Sequence, residues 1–193
     1  MNSLNKLKSH LRPGGVYRRA ELARWSKAVD RHLGYLTEIG TLQKMSQGLY
    51  YCPGQASFGE LPPEDEKLVR AFLKSDDFLL VSPNLYNSLE VGTTQLYNQR
   101  VVYNHKRHGG FELGGKKFDF RLKHKFPKKL TKEFLLIDLL GNLNELAEDR
   151  KTVENNAVQK ITREISPEMS RTVRAYAGER VKKLLKQSGV LHA

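Results

Sequence analysis

Cysteine is nearly absent: Cys52 is the sole thiol in 193 residues. One thiol closes no internal disulfide and cannot head a cysteine-rich zinc site, so Cys52 reads as a small packing residue. Long apolar runs are missing as well. Nothing approaches the roughly 18 consecutive apolar residues that a membrane helix needs. The opening MNSLNKLKSH lacks the apolar stretch of a secretory signal. The expectation is a soluble, cytoplasmic chain without membrane contact. The sequence holds no Gly-rich phosphate loop, no nucleophile elbow and no His-Glu-x-x-His helix, which points away from an enzyme and from any cofactor. Acidic residues are also in deficit. Against 33 Lys and Arg stand 21 Asp and Glu, a formal charge of +12 that favours polyanionic partners.

The charge is concentrated in two places. Residues 1–52 carry nine basic and three acidic side chains, and residues 116–132 (KKFDFRLKHKFPKKLTK) carry eight basic and one acidic, while the remaining segments nearly cancel. Between the first basic region and the rest lies PGQASFGELPP, residues 53–63, with three prolines, two glycines and no apolar periodicity. It reads as a linker. The expected organisation is therefore a small unit over residues 1–52, the linker, and a larger unit over 64–193.

In the first unit Leu4, Leu7 and Leu11 recur at helical spacing over residues 2–11 and stop at Pro13-Gly14-Gly15. Arg18–Trp25 is long enough for about two further helical turns. Ser26 is a good N-cap for a third helix that reaches Ile39 and closes at Gly40. On that helix Val29, Leu33 and Leu36 share one face, and Lys27, Asp30, Arg31 and Gly34 form the opposite stripe. Two short strands then fold back around Ser46-Gln47-Gly48, with Gly48 supplying the positive φ of a tight turn. A hairpin this small needs support, which Leu42, Met45, Leu49 and Tyr50 can give by packing on the helices.

Three helices and a hairpin form the pattern of a winged helix-turn-helix, in which the third helix enters the DNA major groove and the wing meets the backbone. Lys27 and Arg31 are then placed to meet base edges, and an Arg bidentate to guanine gives about 1–3 kcal/mol of discrimination. Ser26 can donate to a phosphate, and Arg18, Arg19 and Arg24 can clamp phosphates beside the groove. Lys44 and Gln47 sit at the wing tip. Asp30 would be repelled by phosphates unless it accepts from a cytosine amine or pairs with Arg31. Gly34 costs about 1 kcal/mol relative to Ala within a helix, a cost that makes sense if a partner approaches the backbone there. The competing reading of this unit is a solvated helical module that binds protein only.

The remainder reads as an α+β domain: a helix over 64–74 with acidic residues in its first turn, a strand in DDFLLVS, a short helix in PNLYNSLEVG opened by Pro83, and a strand in QRVVYN. Over Lys117–Lys123, Phe118, Phe120 and Leu122 alternate inward with Asp119, Arg121 and Lys123 outward, completing a small antiparallel sheet. EFLLIDLLGNL and two helical segments, 149–165 and 167–187, follow. The basic run 116–132 can face nucleic acid, an acidic protein or water. In NHKRHGG, His105 and His108 invite a metal-dependent nuclease reading, but two His three apart on a Gly-rich turn have no evident third ligand. No metal is expected.

The stretch VYRRAELARWSKAVDRHLGYLTEIGTLQKMSQGLYYCP resembles the N-terminal winged helix of AbiEi-type antitoxins, from type IV toxin–antitoxin systems, and of related bacterial regulators. The wing pattern of that family falls on Gly40, Leu42, Lys44, Met45, Gly48 and Tyr50, with Gln47 standing where a basic residue is common. FLLVSP, NLYNSLEVGTT, QRVVYN and FELGGKKFDFRL are similar, more loosely, to the family's second domain. The resemblance implies a non-enzymatic transcriptional repressor that binds inverted repeats of double-stranded DNA at its own promoter. Two copies would sit on each site, either as a dimer or as monomers meeting on DNA. The second domain would counteract a nucleotidyltransferase toxin functionally, without a stable complex.

Overall fold

The computed structural model describes residues 2–57 and 59–190. The chain divides into two units, Met1–Phe78 with Gly109–Phe118, and Leu79–His108 with Asp119–Ala193.

In the first unit the Asn2 side chain accepts the Leu4 N–H at 3.2 Å and opens α1 (Ser3–His10), whose Leu7 is fully buried. The chain then turns into a strand, where a helix beginning at Arg18 was expected. β1 (Val16–Arg18) pairs antiparallel with residues 49–51, Val16 opposite Tyr51, and only one helical turn, α2 (Arg19–Leu22), follows. Extended pairing with a strand distant in sequence takes Arg18 out of the expected helix, which keeps only Arg19–Leu22 of RRAELARW.

The third helix also starts later than the sequence suggests. α3 (Val29–Glu38) starts after Ala28 with no side-chain cap, and Val29, Leu33 and Leu36 are buried as their spacing requires. Gly40, at φ 74°, closes it. β2 (Gln43–Ser46) and β3 (Leu49–Tyr51) make the expected hairpin, with Gly48 at φ 72° in its turn. With β1 they form a three-stranded sheet in the order β1-β3-β2. Leu7, Leu11, Leu22, Val29, Leu33, Leu36, Leu42 and Cys52 pack as one apolar cluster. Met45 does not join it: its sulfur lies where a Cβ on Gly114 would stand, and its carbonyl accepts the Gly114 N–H at 2.8 Å.

The supposed linker is also structured. β4 (Gly54–Ala56) and β5 (Gly59–Leu61) pair antiparallel, and the Tyr51 hydroxyl donates to the Leu61 carbonyl at 2.7 Å. The prolines bracket the two strands and do not interrupt them. α4 (Asp65–Leu73) follows with Asp65 and Glu66 in its first turn and Leu68, Val69 and Leu73 buried.

β6 (Phe78–Val81), a 3-10 helix over Pro83–Leu89, and β7 (Arg100–Asn104) come next. β8 (Gly109–Leu113) and β9 (Lys116–Leu122) follow, and the four strands are hydrogen-bonded in the order β6-β7-β9-β8. On β9, Phe118 and Phe120 are buried as expected, but Leu122, the last residue of the strand, is 58% exposed. Residues 109–118 belong with the first unit, where Phe111 packs on Phe72 with ring centroids 5.0 Å apart and the Lys116 ammonium meets Asp65 at 2.6 Å.

α5 (Lys132–Asn142) centres the second unit, with every residue from Phe134 to Leu140 buried. A helix apolar on all sides must be wrapped. α6 (Arg150–Arg163), α7 (Pro167–Tyr176), α8 (Glu179–Gln187) and the 3-10 helix at Pro83–Leu89 all pack on it. The single helix expected over 167–187 is broken at Ala177-Gly178, both of which are extended (ψ 134° and 162°).

Candidate nucleic-acid interface

The residues expected to touch DNA all lie in the first unit, at the end of β1, on α2 and α3, in the segment between those helices, and on the β2–β3 hairpin. Asp30, Arg31 and Gly34 are exposed, opposite the buried stripe of Val29, His32, Leu33 and Leu36, while Lys27, expected on this helix, is exposed in the turn ahead of it because α3 starts only at Val29. Lys44 is exposed on β2, and Gln47 is exposed in the hairpin turn.

Ion pairs divide the cations into two groups. Arg18 ends β1, and Glu21 accepts both its backbone N–H and its Nε at 2.9 Å. Burial pushes the Glu21 carboxyl up, but the bonds from Arg18 outweigh it and hold the group below its ordinary value. Arg19 grips Asp30 with two parallel bonds, Nε to Oδ1 at 2.6 Å and Nη2 to Oδ2 at 2.5 Å, and the bond from Arg19 lowers the Asp30 pKa. Asp30 thus pairs with Arg19 rather than with Arg31. Among the described residues, Arg24, Lys27, Arg31 and Lys44 are exposed cations with no acidic partner within salt-bridge distance.

Ser26 is not at the helix start and is not open to a phosphate. It is buried, its hydroxyl lies 2.7 Å from His32 Nδ1, and it accepts the Ala28 N–H at 3.2 Å. Ser26 therefore caps a turn ahead of α3, and its polar atom is spent inside the unit. His32 went unnoticed in the sequence, although its place three residues after Val29 puts it on the packed face. Stacking of His10 on Trp25, with ring centroids 4.2 Å apart, was likewise not legible.

No protein-family model, curated protein or solved structure matches this chain. The reading of its function therefore rests on the residues themselves.

Half of the basic run 116–132 is consumed internally. Lys116 pairs with Asp65, Arg121 with Asp119 and Glu145, Lys123 with Asp138, and Lys132 with Glu164. Lys117, Lys125, Lys128 and Lys129 remain exposed. His105 stacks on Phe126 with centroids 4.8 Å apart, and no group of three or more His, Cys, Asp or Glu among the described residues could hold a metal ion. No helix among them is long and apolar enough to cross a membrane.

The second unit holds a polar cluster that sequence reasoning missed. Asp138, buried in the apolar run of α5, accepts from the Tyr86 hydroxyl at 2.8 Å, the Tyr103 hydroxyl at 2.7 Å and the Lys123 ammonium at 3.0 Å. Asn142 donates to both tyrosine oxygens, and Lys123 stands 4.0 Å above the Tyr103 ring. Burial, then the Asp138 charge, raises both tyrosine pKa values. A cleft of ≈ 420 Å³ opens beside the cluster. With three donors on the carboxylate, the cluster is satisfied from within and reads as a structural pin of the core. Its signal in the sequence is the lone acid in FLLIDLL.

Proposed function

We propose that this protein is a sequence-specific DNA-binding transcriptional repressor of the winged helix-turn-helix type, with α3 as recognition helix and the β2–β3 hairpin as wing. The observation that carries the reading is the set of exposed cations without acidic partners, Arg24, Lys27, Arg31 and Lys44, on and beside the face of α3 opposite its packed stripe and on the hairpin. Such a set supplies phosphate contacts and guanine-reading groups without first breaking an intramolecular ion pair. Lys27, in the turn two residues ahead of α3, and Arg31, in its first turn, are the base-reading candidates. Ser26 drops out of the contact set because it is buried against His32, and Arg18 because its side chain lies half-buried against Glu21. Gln47 adds a neutral contact to phosphate or sugar at the wing tip.

The resemblance to AbiEi-type antitoxins extends this reading to autoregulation of a toxin–antitoxin operon, through inverted repeats occupied by two copies, with the second unit acting against a nucleotidyltransferase toxin. A protein-only interaction module is the second reading, favoured by Tyr35 and Ile39, which are about half exposed on and just after α3.

Fluorescence anisotropy across a salt series separates the two, with a duplex from upstream of the protein's own gene and a scrambled duplex. A specific regulator binds the upstream duplex about a thousandfold tighter at physiological salt. The Lys27→Ala/Arg31→Ala protein should lose that affinity at unchanged melting temperature, with the slope of log K on log salt reduced by up to about 2. Unchanged affinity in that variant refutes the recognition-helix assignment. Equal binding of both duplexes by the unmodified protein leaves only its net charge as the source of affinity.

A further inference from the structure

Asp30 is out of place on a face that meets phosphates, and its geometry explains why it is there. Its two oxygens take the Nε and Nη2 edge of Arg19, which leaves Nη1 of that guanidinium without a partner among the described residues. Both side chains are open to solvent, at 48% for Arg19 and 71% for Asp30. Two parallel bonds are the geometry in which an exposed Arg–carboxylate pair holds its guanidinium in one orientation. Arg19 is also tied at its backbone, whose N–H donates to the Gly48 carbonyl at 2.9 Å in the hairpin turn. One residue is thereby fixed to the turn of the wing and to the first turn of α3.

Resting on the DNA-binding reading above, we propose that Asp30 is a positioning residue that holds the Arg19 guanidinium by one edge and presents Nη1 to a DNA phosphate beside the wing turn. A free arginine must give up rotamer freedom when it meets a phosphate, whereas one already clipped to a carboxylate has given it up in the unbound protein. The acid costs some repulsion and returns a preorganised cation. Arg19 is accordingly a backbone contact that carries no sequence information, distinct in kind from Lys27 and Arg31.

The test is a double-mutant cycle in the full chain, read by anisotropy with the upstream duplex. Asp30→Ala should weaken binding about tenfold, although it removes a negative charge, and should lower the salt slope by about 0.9, the value of one phosphate contact. Arg19→Ala should do the same, and Arg19→Ala/Asp30→Ala should lose no more than Arg19→Ala alone. Asp30→Glu should recover part of the loss, a rescue that a merely structural role would not produce. Asp30→Asn keeps the shape and replaces Asp30→Ala if that protein melts early. Equal or tighter binding by the Asp30 variants, or losses that simply add, overturns the proposal while leaving the repressor reading intact. Unmodified protein that does not prefer the upstream duplex overturns both.

Discussion

If α3 meets DNA as proposed, replacing Gly34 by Ala should raise stability and lower DNA affinity at once. Gly34 lies inside α3 on its exposed side, and a Cβ built there meets nothing within 4 Å. Its φ is not among the positive values, so alanine enters without strain. Glycine in a helix interior costs about 0.8–1.0 kcal/mol relative to alanine, through the backbone freedom it retains in the unfolded chain. With no clash to subtract, the whole of that amount should appear as added stability. For a chain of this size it corresponds to a rise of about 2–4 °C in melting temperature. Trp25, the sole tryptophan and a member of the first unit, reports the unfolding of that unit by fluorescence. The same methyl group would stand between α3 and the groove floor, so binding to the upstream duplex should weaken several-fold while the scrambled duplex is little affected. A stabilised variant with full affinity would show that nothing approaches α3 at Gly34, and would remove one argument for this face as the reading surface. A destabilised variant would refute the steric reasoning itself.

Three further outcomes follow from the second unit and the core. Asp138→Ala leaves two buried tyrosine hydroxyls and a half-buried ammonium without their acceptor and should cost about 3–5 kcal/mol in urea unfolding, with loss of the near-ultraviolet tyrosine signal. Glu148 accepts the Thr94 and Gln95 N–H groups at 3.1 Å and the Tyr97 hydroxyl at 2.7 Å. Burial pushes its carboxyl up, but these bonds hold it below the ordinary 4.5 on balance. Its folded value is thus the lower one, so its stabilisation is complete above pH 4.5 and is lost as pH falls through the folded value. Glu148→Gln should flatten that part of the acid limb in a pH series of melting temperatures. Cys52 is buried, and burial raises its thiol pKa, so it should react with thiol reagents at neutral pH only as fast as the first unit opens.

Local patterns made much of the first unit legible. The 29-33-36 spacing marked the packed face of α3, Gly40 its end and Ser-Gln-Gly the hairpin turn, because each is decided by neighbours along the chain. β1 was not legible, because Val16–Arg18 becomes a strand only by pairing with residues more than thirty positions away. The same holds for the pairs that sort the cations. RR at 18–19 looks like two equivalent phosphate clamps, yet the fold gives one to Glu21 and the other to Asp30. The basic run 116–132 looked like a surface in sequence, and Asp65, Asp138, Glu145 and Glu164 each claim one of its members from a distant part of the chain. Composition counted those charges correctly, but only the fold could say which were already neutralised.

The return of residues 109–118 to the first unit has a consequence for how the protein is made. On the ribosome, residues 1–78 emerge first and can gather their apolar cluster. The segment that brings Phe111 to Phe72, Gly114 to Met45 and Lys116 to Asp65 appears only after a further thirty residues of the second unit. At synthesis rates of about 5–20 residues per second, the first unit waits seconds for its last piece. A nascent chain stalled before that point would lack these three contacts, so the packing of the first unit is completed only once residue 118 has been made.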